Sequence, residues 1–232
     1  MGSFIHTAST WVLPVLLAIT FHEASHGFVA WKLGDDTAYR LGRVTFNPFR
    51  HIDRFGTVIL PGLLILFGSP FLFGYAKPVP VNFGRLKRPR RDTALVAAAG
   101  PASNIVLALF SAAALNLVAH APEAIAPWAA ISLVNSIRIN VMLAIFNMLP
   151  LLPLDGGRVL GSLLPAELAR PYLRTERFGM LILLALIFLV PMIGMQMGTD
   201  LNILRWLLWA PYEYVVKLVL AVTGADSIIH FR

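Results

Sequence analysis

The chain has 232 residues, is 57% hydrophobic and only 13% charged, has a mean hydropathy of +0.72, and still carries a net charge of +7. Soluble domains average about 25% charged residues, and a chain this apolar would leave large exposed patches in water, so an ordinary soluble domain and a disordered tail are both excluded. The lack of cysteine removes disulfide scaffolds and thiolate metal sites as well.

What remains is an integral membrane protein, and a membrane helix needs about 20 mostly apolar residues. In chain order, the segments at roughly 4–33, 93–119, 128–150, 178–197 and 202–222 predict five full spans. The first is too long and too poor in early positive charge to read as a cleaved signal peptide. A sixth apolar run, 55–73, is broken by Pro61-Gly62 and by Gly68-Ser69-Pro70. Basic residues crowd the segments 32–54, 77–91 and 158–177, whereas 120–127 and 198–201 contain no Lys or Arg. Cytoplasmic loops carry the excess of Lys and Arg. With all three basic segments cytoplasmic, 55–73 must dip in and return or lie at the interface, and broken backbone at that depth requires burial against protein. This map puts 17 of the 19 Lys and Arg inside, with Arg138 and Arg205 the exceptions. The alternative, six full spans, leaves a strongly basic loop outside. The predicted fold is an all-α polytopic helix bundle, a single membrane domain over 1–232, with five full spans and one re-entrant or interfacial segment.

The first span contains His22-Glu23-Ala24-Ser25-His26, an H-E-x-x-H motif. Positions i and i+4 share a helix face, so two imidazoles there can bind one Zn²⁺. Glu23, about 100° round the helix, can reach a metal-bound water without ligating the metal, as a general base must. A carboxylate inside an apolar helix costs about 2.5–3.5 kcal/mol or more, so three ionisable groups in five membrane residues are hard to explain as packing. Trp31 and Lys32 mark the interface, which puts His26 roughly 9 Å and His22 roughly 15 Å below it. A catalytic zinc usually takes three protein ligands. His6, His51, His120 and His230 are poorly placed, being a distant turn of the same helix, loops, or a terminus. Asp155 stands out, because it follows Pro150 and Pro153 and precedes Gly156 and Gly157. That irregular backbone can line a cavity. Spacing alone slightly favours a solvated carboxylate in an interfacial turn.

Taken together, His22-Glu23-x-x-His26, Gly100-Pro101-x-x-Asn104 and Asn147-x-x-Pro150-x-x-Pro153-Leu-Asp155-Gly156 resemble the site-2 protease family of intramembrane zinc metalloproteases. The resemblance covers about 10–160 and implies a three-span catalytic core within about 4–160, followed by a C-terminal helical hairpin at about 178–222. It implies that His22, His26 and Asp155 bind one catalytic zinc, that Glu23 activates the attacking water, and that the substrates are membrane-spanning protein segments. The stretches Gly34 to Pro48 and Ala76-Lys77-Pro78-Val79-Pro80-Val81-Asn82 resemble the compact prokaryotic branch, without PDZ or nucleotide-sensing domains. That branch points to a prokaryotic inner membrane, and the depth of His22 and His26 below Trp31 and Lys32 puts the active site nearer the cytoplasm. In well-known members the catalytic helix and the Gly-Pro-x-x-Asn helix are joined on the cytoplasmic side, in agreement with the charge count.

Asn140 and Asn147 are seven apart and share a helix face. With Asn104 they can hydrogen-bond an unfolded substrate or the zinc ligands, or simply tie helices together. The basic stretch Arg85 to Arg91 reads as anchoring to anionic lipid rather than nucleic-acid binding, and its Pro-Val-Pro-Val flank can pair with an extended substrate. The rival classes are another H-E-x-x-H membrane peptidase, such as a prenyl-protein processing enzyme, a metal transporter, and a non-catalytic zinc scaffold. The setting of Asp155 argues against the first. Nearly ligand-free later spans argue against the second. Glu23, which a scaffold does not need, argues against the third.

Overall fold

The computed structural model describes residues 2–59, 62, 63, 66 and 76–228. Among them there is no strand. The longer helices are α1 (Gly2–Leu33), α2 (Pro89–Leu115), α3 (Ala126–Asn147), α4 (Asp155–Leu163), α5 (Ala166–Arg174), α6 (Glu176–Gln196) and α7 (Ile203–Thr223). Helix α6 contains a π-helical turn at Ala185–Leu189. Four described helices are long and apolar enough to cross a membrane: Ile5–Leu33, Pro89–Leu115, Ala126–Asn147 and Glu176–Gln196. They coincide with four of the five expected spans. The fifth expected span is α7, which has the length but carries Arg205, Glu213 and Lys217 along it. The run 55–73 lies mostly outside the described residues, and its described beginning, Arg54–Ile59, is π-helical.

Local chemistry sets the helix ends. Helix α1 stops at Gly34, whose φ of 118° suits only glycine. Helix α2 starts with Pro89 in its first turn, and the Asp92 carboxylate accepts the Arg88 N–H at 2.8 Å. Both features complement a helix N-terminus. Gly224, at φ 70°, closes α7.

Helix α2 is the hub, packed against α1, α3, α4 and α7. Its run of alanines, glycine and serine is what allows this, because small residues let backbones approach where lipid supplies no hydrophobic drive between helices. Ala108 and Ala112 of α2 are fully buried against Ile137 and Val141 of α3 and Val216 and Val219 of α7. Polar side chains tie the same helices: Ser111 to Ser136 at 2.7 Å, Asn135 to the Thr10 carbonyl at 3.2 Å, and Asn116 to the Thr223 carbonyl at 2.9 Å.

Two irregular segments complete the frame. After α3 the chain turns through Pro150 to Leu154, with a cis Leu152–Pro153 peptide, and re-enters α4 at Asp155. A Cβ on Gly156 would stand 2.2 Å from the Met148 carbonyl oxygen, so only glycine lets α4 fold back so tightly on the end of α3. The second is an extended strap, 76–82. Its backbone is tied down by Lys77 N–H to the His51 carbonyl (2.9 Å), Arg43 to the Lys77 carbonyl (2.7 Å) and Asn82 N–H to Asp35 (2.6 Å).

Candidate metal centre

His22 and His26 stand one turn apart on α1, and α2 lies against that face. A Cβ on Gly100 would come within 2.4 Å of His26 Nε2 and 2.7 Å of His22 Nε2, so α2 presents bare backbone to both rings. Hydrogen bonds orient each imidazole. His26 Nδ1 lies 2.7 Å from the Val96 carbonyl, which can only accept, so Nδ1 carries the proton. His22 Nδ1 lies 2.7 Å from Asn104 Oδ1. The Asn104 amide is held by its own NH₂, which donates to the Ala18 carbonyl at 3.1 Å and to Asn140 Oδ1 at 2.8 Å. Asn140 in turn donates to the Ser136 carbonyl at 2.9 Å. The chain ends on backbone carbonyls, so every amide has one orientation, and His22 also carries its proton on Nδ1.

Both Nε2 atoms are therefore bare lone pairs when the rings are neutral, and they face each other at 3.1 Å. Asp155 Oδ2 closes the triangle at 3.2 Å from His22 Nε2 and 3.4 Å from His26 Nε2. This oxygen is buried and has no hydrogen-bond partner. Three acceptors pointed at one another in an apolar layer are unfavourable unless a proton or a metal ion lies between them. The spacing is close to that of a small tetrahedral ion, since ligand atoms each about 2.0–2.2 Å from such an ion lie about 3.3–3.6 Å apart. Among the described residues, this is the group of three or more His, Cys, Asp or Glu side chains with the spacing to hold a metal.

Glu23 is half-buried beside this triangle, and its Oε2 accepts the Val79 N–H from the strap at 2.7 Å. The structure thus brings together His22, Glu23, His26, Asn104, Asn140 and Asp155. Asn147 is not joined to them: its amide donates to the Leu143 carbonyl one turn back in α3, at 3.0 Å. Sequence reasoning missed the Val96 carbonyl and the Val79 N–H, because a backbone group leaves no mark in a sequence. Gly100 did leave one, as the glycine of Gly-Pro-x-x-Asn.

Apolar helices closing on two imidazoles and two carboxylates define an integral membrane protein of the metallopeptidase type. The comparisons agree. Residues 116–190 match peptidase family M50. The chain is 38% identical over 185 residues to a Bacillus subtilis protein named "Putative zinc metalloprotease YwhC", covering 78% of this chain and 80% of the relative. It is 30% identical over 206 residues to "Putative zinc metalloprotease Rip2" of Mycobacterium tuberculosis, covering 89% and 74%. A Mycolicibacterium smegmatis protein of that name is 28% identical, covering 81% and 68%. No solved structure matches. The chain belongs to peptidase family M50, the site-2 protease family of membrane metalloproteases.

Proposed function

We propose that this chain is an intramembrane zinc endopeptidase in which His22, His26 and Asp155 hold one catalytic zinc and Glu23 is the general base. The observation that carries the reading is the convergence of three acceptor atoms at 3.1–3.4 Å with both Nδ1 protons already committed elsewhere. Zinc bound there supplies Lewis-acid polarisation of a peptide carbonyl and makes a water easier to deprotonate. The chain's own residues do the rest. Glu23, with one oxygen anchored on Val79 N–H, keeps the other to take the water proton and return it to the leaving amine. Asn104 and Asn140 keep His22 in the tautomer that offers Nε2. Asn147, pointed at its own helix, is left as a helix-end residue that a substrate backbone can recruit.

Under this reading 1–232 is one membrane protease domain of the prokaryotic inner membrane, with a membrane-spanning protein segment as its substrate. The excess of Lys and Arg in 32–54, 77–91 and 158–177 supports an active site nearer the cytoplasm. A substrate helix hides its peptide bonds, so cleavage requires local unwinding beside the strap. The test compares wild type with Glu23→Gln, measuring bound zinc and cleavage of model transmembrane segments. Zinc kept near one equivalent with cleavage lost supports the assignment. Cleavage that survives Glu23→Gln overturns the base, and Asp155→Ala with unchanged zinc affinity removes that ligand.

A further inference from the structure

A second polar site lies on the strap, apart from the metal triangle. A cavity of about 450 Å³ opens between the segment that follows α1 and the strap, and its wall includes Arg43, Arg50 and Lys77 together with Leu41, Phe49 and Ile52. Arg43 is 7% exposed. One guanidinium nitrogen donates to the Lys77 carbonyl at 2.7 Å and weakly to the Pro78 carbonyl at 3.4 Å, while its Nε has no partner. Among the described residues none of the three cations makes an ion pair. Acids are absent from the strap itself: between Asp53 and Asp92 the chain has seven Lys or Arg and no Asp or Glu. The Asp53 carboxylate is occupied with the Phe55 and Gly56 N–H groups, at 3.0 and 2.7 Å. A buried guanidinium without a counter-charge is costly, and beside two more cations the cost rises.

We infer that this cavity takes the phosphate of an anionic phospholipid, with Arg43, Arg50 and Lys77 as its counter-charges. The phosphate supplies the missing negative charge and accepts charge-assisted hydrogen bonds from the guanidinium and ammonium donors. The surroundings favour a lipid over a free ion. Leu41, Phe46, Phe49 and Phe55 are between 51% and 79% exposed around this segment, an apolar fringe for the glycerol and acyl chains. The site is also at the interface. Trp31 stacks on Tyr39 at 4.2 Å and Lys32 covers Trp31 at 4.4 Å, the aromatic and cationic belt found at headgroup level. The inference does not depend on the protease reading, although the headgroup would sit on the same strap whose Val79 N–H reaches Glu23.

The test is a titration of the purified full chain in detergent with phosphatidylglycerol and, in parallel, with phosphatidylcholine of the same chain length, counting bound lipids by native mass spectrometry. Wild type is expected to retain phosphatidylglycerol preferentially. The double variant Arg50→Gln/Lys77→Gln, at two exposed positions, is expected to bind it about 10- to 30-fold more weakly. Equal binding of the two lipids, or an unchanged affinity in the double variant, overturns the site. A control, Arg170→Gln/Arg174→Gln, removes the same charge from α5, and an equal loss there shows diffuse attraction and also overturns it. Millimolar inorganic phosphate is the last arm: displacement of the lipid by phosphate assigns the pocket to free phosphate instead, whereas retention supports the headgroup.

Discussion

At Asn104 one amide does three things: it donates to α1, donates to α3, and accepts from His22. Replacing it with alanine leaves His22 free to rotate and to carry its proton on either nitrogen. Loss of such an orienting partner typically costs 10–100-fold in metal affinity. Asn104→Ala is therefore expected to weaken zinc binding by about that factor, measured by competition with a coloured chelator, while Asn147→Ala leaves it unchanged. The contrast shows how far single residues are legible. The helix period alone put His22 and His26 on one face, and the structure brings their Nε2 atoms to 3.1 Å of each other. The same period put Asn140 and Asn147 on one face, yet only Asn140 joins the network, because a side-chain amide chooses between a neighbouring helix and its own previous turn. For Asp155 spacing alone leaned towards a solvated turn, since its position depends on how α4 folds back on α3.

At the scale of elements, α2 and the strap hold the centre together. Gly100→Ala would drive a methyl to 2.4 Å from His26 Nε2. The expected outcome is loss of stoichiometric zinc with the helix content retained, read by metal analysis and circular dichroism. The strap has a register written in its prolines. Pro78 and Pro80 have no N–H, so Val79 is the donor between them, and that donor meets Glu23. Val79→Pro is expected to lower kcat about tenfold, a barrier change of about 1.4 kcal/mol, with zinc retained, whereas Val79→Leu keeps the N–H and the rate. The far end of the strap rests on Asp35. Burial pushes its carboxyl pKa up, but the Thr37 hydroxyl, the Asn82 and Thr37 N–H groups and the Arg85 charge together hold it below the ordinary 3.8. A carboxylate with a lowered folded pKa stabilises the fold fully above 3.8, and that contribution is lost as pH falls through the folded value. Proteolysis at the strap should therefore accelerate below about pH 4 in wild type, and Asp35→Asn should be labile already at neutral pH with that acid step removed. The sequence marked the strap as a candidate edge for substrate pairing. It did not show that Glu23 already holds the strap's central N–H, since that contact joins positions 56 residues apart.

Hydropathy made four of the helices legible at the scale of the whole molecule, because span length and apolar character are local properties. Their packing order was not local: α2 is central because its alanines and glycine let four neighbours approach, and the proposed metal centre closes only when that packing is complete. Its atoms come from α1 and from the start of α4, with α2 wedged against both. An ion at that point links elements far apart in the chain and is bound by the folded state, so its removal must lower stability. A ligand at 100 times its Kd adds about 2.7 kcal/mol to the folded state. Chelation of the purified protein is therefore expected to lower the thermal midpoint, and stoichiometric zinc is expected to restore it. Glu23→Gln should keep the full metal-dependent shift, because Glu23 binds no metal in the proposed site, while Asp155→Ala should abolish most of it. A midpoint that does not respond to chelation in the wild type would mean that the three facing atoms are balanced by a proton, and the metal assignment would fail at its root.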